Sequence, residues 1–240
     1  KLLCNFIVMN TRIYPDKVDL IEAFSHYLIQ LIADKLNTPL GYKEGFHWAL
    51  SGGSTPVALF DFLADRYKDD VDWDSVYFYW GDERCVPPSD PQSNYLMTVT
   101  HFLSKVRHNP DRVYRIRGEE NPIEEANRYH KLLTTRPVMD LMMLGLGEDG
   151  HTASIFPHQI DLFHSDALAV AATHTNGQPR ISMTGNMITN ANQTVFLVSG
   201  SSKAAVVAQI ANNAPESNAY PAALVSDAIW FMDADAGSLL

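Results

Sequence analysis

Hydrophobic positions follow two rhythms along this chain. Short continuous apolar runs at Phe46–Leu50, Val76–Trp80, Leu141–Leu144 and Thr194–Val198 show little polar alternation and read as strands buried on both faces. Between such runs, apolar residues recur every three or four positions. Leu20, Ile21, Phe24, Tyr27, Leu28, Leu31 and Ile32 mark an amphipathic helix over Asp16–Leu36, entered from Pro15. Helices are also expected over Val57–Tyr67 and Tyr95–Val106, from Asn121-Pro122 to near Leu133, and from Lys203 to near Ala211. Further strands are expected at Cys4–Met9 (an edge or leading segment), Val113–Ile116, Ala167–Thr173, Arg180–Met183 and Ala228–Met232. Asn37–Gly45 reads as a turn region, Asp69–Asp74 as an acidic loop and Ser89–Asn94 as a polar loop, while Asn176-Gly177 and Pro179 carry turn chemistry. Strand and helix alternate without an internal repeat or a low-complexity linker. The pattern predicts an α/β fold, a mostly parallel Rossmann-like sheet with helices on both faces, formed by residues 1–240 as one domain.

Composition narrows the partners. The 240 residues are 46% hydrophobic and 19% charged, so a large core is readily supplied. The net charge of -10 argues against nucleic acid or an anionic membrane as partner, because phosphate-rich surfaces select basic stripes. A small phosphorylated ligand needs only a few local donors and stays open. Cys4 and Cys85 form neither a disulfide framework nor a zinc pattern, which predicts a reduced, cytoplasmic setting. No apolar run reaches the ~18 residues of a membrane helix. Asn5, Asn10 and Arg12 interrupt any signal-peptide pattern, and the start at Lys1 without Met is expected to reflect a trimmed or partly ordered terminus. The histidines show no H-E-x-x-H or comparable ligand spacing, so no metal is expected. The absence of a G-x-S-x-G elbow disfavours a serine hydrolase.

Chemistry concentrates where strands end. Asp140–Pro157 begins with the apolar strand Leu141–Leu144, breaks at Gly145 and Gly147, and presents His151 at the strand's carboxyl end. A histidine there can move a proton near neutral pH. Asp149 stands where a helix N-cap is expected, with Thr152–Phe156 as the first turn. Two other strand exits suit an anion. Ser51-Gly52-Gly53-Ser54-Thr55 leads into a helix at Pro56, and Ser199–Lys203 repeats the logic with an added lysine. Neither has the spacing of a dinucleotide fingerprint or a P-loop. Arg180 can add a fork of donors to the same phosphate. Gly81-Asp82-Glu83-Arg84 is a fourth exit, in which Asp82 can hold a histidine or a hydroxyl and Arg84 can neutralise a developing oxyanion.

Taken together, these motifs resemble the 6-phosphogluconolactonase family. S-G-G-S-T-P at 51–56, W-G-D-E-R-x-V-P at 80–87, S-N-Y at 93–95, G-L-G-E-D-G-H-T-A-S-I-F-P at 145–157, R-I-S-M-T at 180–184 and G-S-S-K at 200–203 fit its pattern in order and spacing. The related glucosamine-6-phosphate deaminases share the phosphate turns, an aspartate like Asp82 and an Asp-Gly-His like 149–151. They typically carry a glutamate where this chain has Phe156, and Glu-Tyr where it has Glu83-Arg84. The resemblance therefore implies hydrolysis of 6-phospho-D-glucono-1,5-lactone, the second step of the oxidative pentose phosphate pathway. The alternatives are a deaminase-isomerase and a non-catalytic sugar-phosphate sensor. It implies His151, Arg84, Asp82 and Asp149 as catalytic residues. Ser51, Gly52, Gly53, Ser54, Thr55, Gly147, Gly150, Arg180 and Lys203 are then the substrate-binding residues. No cofactor is expected, and the only expected partners are the sugar phosphate and, in a weak homodimer, a second copy.

Overall fold

The computed structural model describes residues 9–240. Among the described residues ten strands form two sheets. The strands are β1 (Asn10–Tyr14), β2 (Phe46–Leu50), β3 (Val76–Trp80), β4 (Asp82–Arg84), β5 (Val113–Tyr114), β6 (Leu141–Leu144), β7 (Ala169–Thr173), β8 (Pro179–Met183), β9 (Thr194–Val198) and β10 (Ile229–Asp233). Seven of them form a wholly parallel sheet in the order β1-β10-β9-β6-β2-β3-β5. Every residue of β2, β6, β9 and β10 is buried, which is why their sequences run apolar without alternation. Flanking helices are α1 (Lys17–Leu36), α2 (Pro39–Glu44), α3 (Ser54–Arg66), α4 (Asn94–Thr98), α5 (Pro122–Leu133), α6 (Gly185–Thr189) and α7 (Ala204–Ala211). Among the described residues no helix is long and apolar enough to cross a membrane.

The strand order sets the place of the site. From β2 the chain works outward to β3 and β5. It then returns to the other side of β2 at β6 and works outward through β9 to β10. The reversal opens a crevice at the carboxyl ends of β2 and β6, the position where open α/β sheets bind ligands. The Ser51 turn and the Gly145 turn therefore lie side by side.

The apolar strands and long helices stand close to where periodicity places them, and several expectations need correction. The Cys4–Met9 run lies outside the described residues apart from Met9, and the edge strand is Asn10–Tyr14. Asn37–Gly45 contains the short helix α2. Thr38 Oγ1 caps it by accepting the Gly41 N–H at 3.0 Å, and Pro39 occupies the first turn. The expected Tyr95–Val106 helix is α4 followed by a π-helical turn over Val99–Leu103. Asp82–Arg84 is a strand rather than a turn, because β4 pairs antiparallel with β8, and β8 with β7, in a second three-stranded sheet.

Helix α3 begins at Ser54, not Val57, and Asp149 caps no helix. Gly150 and Ala153 adopt φ values of 81° and 48°, which keep the chain after β6 in tight turns. Helical backbone returns only at Pro157, as a 3-10 segment to His164.

One buried hydroxyl holds the sheet where pairing runs out. The two residues of β5 pair with Phe78 and Tyr79, leaving Trp80 without a ladder partner on that side. The fully buried Tyr129 of α5 reaches in: its hydroxyl donates to Trp80 O and accepts from Trp80 N, both at 3.1 Å. Tyr129→Phe orphans both groups and is expected to cost about 2–4 kcal/mol, read from the urea midpoint. A change under about 0.5 kcal/mol would show that water replaces the hydroxyl.

Candidate active site

At Gly81 the chain leaves the parallel sheet. Its N–H donates to Leu50 O at 2.8 Å and its carbonyl accepts from Met183 N at 2.7 Å, so the small sheet is pinned to the crevice. Alternation then sorts the next three residues. Asp82 and Arg84 share one face of β4, opposite Ser182 and Arg180 of β8, while Glu83 turns to the other face opposite Ile181. Glu83 is buried and structural: its carboxylate accepts from the backbone N–H groups of Arg84, Asn94 and Tyr95 and from Ser93 Oγ, at 2.7–3.0 Å. It thereby anchors the start of α4. Burial pushes its carboxyl above the ordinary range despite those donors.

On the cavity face, Arg84 and Arg180 are direct cross-strand partners, an arrangement that like charges oppose. Burial first, and then the charge of Arg84, lowers the pKa of Arg180. The Nε of each guanidinium is buried without a hydrogen-bond partner among the described residues. Arg84 is held at one end, where an Nη donates to Gln92 O at 2.6 Å. Lys203, from the turn after β9, lies 3.8 Å from the exposed Glu148 carboxylate, too far for a firm ion pair. Three cations thus converge on one crevice of an acidic protein.

His151 is positioned by its own loop. Gly147 N donates to His151 O at 2.9 Å and Gly150 N to Gly147 O at 3.0 Å. Asp149 Oδ1 accepts from both the backbone N–H and the ring Nδ1 of His151, the latter at 2.6 Å. A carboxylate only accepts, so Nδ1 carries the proton and the neutral ring presents Nε2 as its free base. Burial alone would raise the Asp149 pKa, but the hydrogen bond from His151, and the charge of its ring when protonated, pull it down to about 2. Glycine is required at 147, because a Cβ there would run into His151 Nδ1 and sit 2.6 Å from Asp149 Oδ1. Phe156, buried, packs against the imidazole with ring centroids 4.8 Å apart.

These groups enclose a cavity of about 260 Å³. Ser51, Gly52, Gly53 and Gly147 supply its glycine-rich wall, with Asp82, Arg84, His151, Arg180 and Lys203 as the chemically active lining. Ser54 and Thr55 line an adjoining cavity of about 200 Å³ that shares Gly52, Gly53 and Lys203. The Thr55 and Ser199 hydroxyls meet at 2.8 Å, tying the two phosphate-type turns together. The buried Asp233 carboxylate accepts from Gly200 N at 3.0 Å and fixes the second turn. Asp149 and Gly150 stand behind the lining: Asp149 grips Nδ1, and Gly150 makes room for the Tyr220 ring.

Asp82 bonds neither Arg84 nor His151. Its Oδ2 accepts from Ser154 Oγ at 2.6 Å, and Asn94 Nδ2 donates to its carbonyl at 3.0 Å. Asn94, Ser154 and His174 also line the cavity and carried no assigned role in the sequence, although Asn94 and Ser154 lie inside two of the quoted motifs. A larger open depression of about 870 Å³ lies beside Ser75, at the amino end of β3, and holds none of the expected site residues. Among the described residues no three His, Cys, Asp or Glu side chains converge as a metal ligand set.

Known proteins resemble this chain over most of its length. The family profile described as "Glucosamine-6-phosphate isomerases/6-phosphogluconolactonase" matches residues 15–230. A 6-phosphogluconolactonase of Treponema pallidum is 40% identical over 213 residues, covering 85% of each chain. One of Haemophilus influenzae is 37% identical over 241 residues, covering 97% of this chain and all of its own. The solved structure of a monomeric glucosamine-6-phosphate deaminase of the NagB superfamily superposes with a TM-score of 0.82, at 21% identity and over 97% of this chain and 100% of its own. That likeness speaks for the fold alone. With the family profile spanning most of its length and close relatives aligned almost end to end, this chain belongs to the glucosamine-6-phosphate isomerase/6-phosphogluconolactonase family.

Proposed function

We propose that the protein hydrolyses 6-phospho-D-glucono-1,5-lactone to 6-phospho-D-gluconate, the second step of the oxidative pentose phosphate pathway. One observation carries the choice within the family: the buried Phe156 ring lies against His151 where the deaminase pattern has a glutamate. Ring opening of an amino sugar needs an acid there, and phenylalanine has none to give. Hydrolysis of a lactone needs only one base, a water and a site for negative charge.

His151 Nε2 takes a proton from water as the oxygen attacks the carbonyl carbon. The imidazolium, steadied by the Asp149 carboxylate, returns that proton to the ring oxygen as the C–O bond breaks. Arg84 and nearby backbone N–H groups stabilise the tetrahedral oxyanion. Asp82, held by Ser154 and Asn94, receives a sugar hydroxyl. The phosphate sits in the turns from Ser51 to Thr55 and at Ser199–Lys203, with Arg180 and Lys203 as its counter-charges. Its binding energy holds the carbonyl against His151. The same reading takes the chain as one cytoplasmic, cofactor-free unit, monomeric or weakly dimeric. The lack of a disulfide framework in its two cysteines supports the cytoplasmic setting.

The decisive comparison runs two assays side by side. Acid release from the lactone is expected well above the spontaneous rate, with no ammonia from glucosamine 6-phosphate. Ammonia release without lactone hydrolysis would reverse the assignment. Tight binding of 6-phosphogluconate with neither reaction would make the protein a sensor.

A further inference from the structure

His174 stands on the β7–β8 hairpin, outside every motif that marks the family. The hairpin is tightly made. His174 N donates to Gln178 O at 2.9 Å, Gly177 N donates to His174 O at 2.8 Å, and Gly177 takes the positive φ the turn requires. It is also tied to the cavity rim: Gln178 Nε2 donates to Gln92 Oε1 at 3.0 Å, and the Gln92 carbonyl is the acceptor that holds Arg84. The imidazole lines the cavity and stands edge-on to Phe156, with centroids 5.1 Å apart and planes at 86°. Phe156 therefore touches two imidazoles of the cavity lining, His151 and His174, while a third, His158, stacks on it outside that lining with centroids 5.8 Å apart.

The two rings are set for different work. The Asn176 backbone N–H donates to His174 Nδ1 at 3.1 Å. A backbone N–H cannot accept, so Nδ1 of the neutral ring is the acceptor and Nε2 carries the proton. His151 has the opposite tautomer, with its proton on Nδ1. One ring thus offers a base and its neighbour offers a donor. Nε2 of His174 makes no hydrogen bond among the described residues.

The geometry points to His174 as a specificity-determining residue whose Nε2–H donates to the hydroxyl next to the lactone carbonyl, the C2 hydroxyl. With His151 serving the carbonyl carbon, the hydroxyl on the adjoining carbon is the sugar hydroxyl nearest to it, and His174 is the cavity-lining donor that shares Phe156 with His151. The inference rests on the lactone reading above.

The test crosses two variants with two substrates, 6-phosphogluconolactone and its 2-deoxy analogue. Proton release is followed, so that no coupling enzyme must accept the deoxy acid. His174→Phe keeps the ring and loses the donor. It is expected to lower kcat/KM about tenfold on the parent lactone and hardly at all on the 2-deoxy lactone. His174→Gln, which keeps an N–H donor, is expected to recover part of the loss on the parent substrate alone. Equal losses on both lactones, or none on either, would overturn the role of His174 while leaving the hydrolase assignment standing. Failure of the unaltered protein to hydrolyse either lactone would overturn both.

Discussion

Replacing His151 with alanine is expected to lower kcat by about 10²–10⁴-fold, the usual contribution of a general base, with KM little changed. The expectation follows from one hydrogen bond. Because the Asp149 carboxylate takes Nδ1–H at 2.6 Å, the basic nitrogen is the one left for the cavity. The ring is held from behind by the 147–151 loop and from the side by Phe156, so little entropy is lost in bringing it to bear. Asp149→Asn should fall between parent and alanine variant. An amide can still accept from Nδ1, but it neither enforces the tautomer nor steadies the imidazolium as a charge does. With its pKa pulled down to about 2, Asp149 is ionised across the neutral range, and pH dependence there belongs to other groups. Rates are read by coupling to 6-phosphogluconate dehydrogenase, corrected for spontaneous opening. Unchanged kcat in His151→Ala would remove it as the base.

Arg180→Ala is expected to act on the other kinetic constant. Losing a charge-assisted contact to phosphate should raise KM by about 10–100-fold with a smaller effect on kcat. The same substitution removes a positive charge that faces Arg84 across the β4–β8 rung. Its Nε satisfies no partner among the described residues. Thermal stability should therefore hold or rise as binding is lost, the mark of a residue kept for its ligand. Lys203→Ala should raise KM too, without the gain in stability, since Lys203 faces no like charge on a shared rung. An unchanged KM for Arg180→Ala would sink its phosphate role. A large drop in Tm would instead make it a support of the small sheet.

The small sheet explains where sequence reading stopped short. β4 is Asp-Glu-Arg, three charged residues with poor strand propensity and no apolar alternation. Tertiary pairing with β8 overrides that preference, and the turn expected from the sequence is a strand. The same override moved Asp149 from a helix cap to a clamp on an imidazole. Here local capping preference competed with a charge-assisted bond two residues away, and Gly150 and Ala153 in left-handed backbone broke any helix before it could form. His174 was illegible for a different reason. A lone histidine in a turn has no spacing to betray it, and only the hairpin's register carries it to the cavity wall.

Periodicity and strand-end chemistry made much of the protein readable directly. Apolar runs buried on both faces, helices of one apolar stripe and glycine-rich strand exits are local consequences of burial and backbone freedom. They specified the parallel sheet and named His151, Arg180, Lys203 and the Ser51–Thr55 turn. The folded chain alone decided how these residues face one another. The reversal of strand order sets the Ser51 and Gly145 turns side by side, and the second sheet stacks Arg84 against Arg180. Asp82 is turned toward Ser154 and Asn94 rather than His151. Such pairings join residues up to a hundred positions apart, and no local pattern encodes the register at which two distant strands meet.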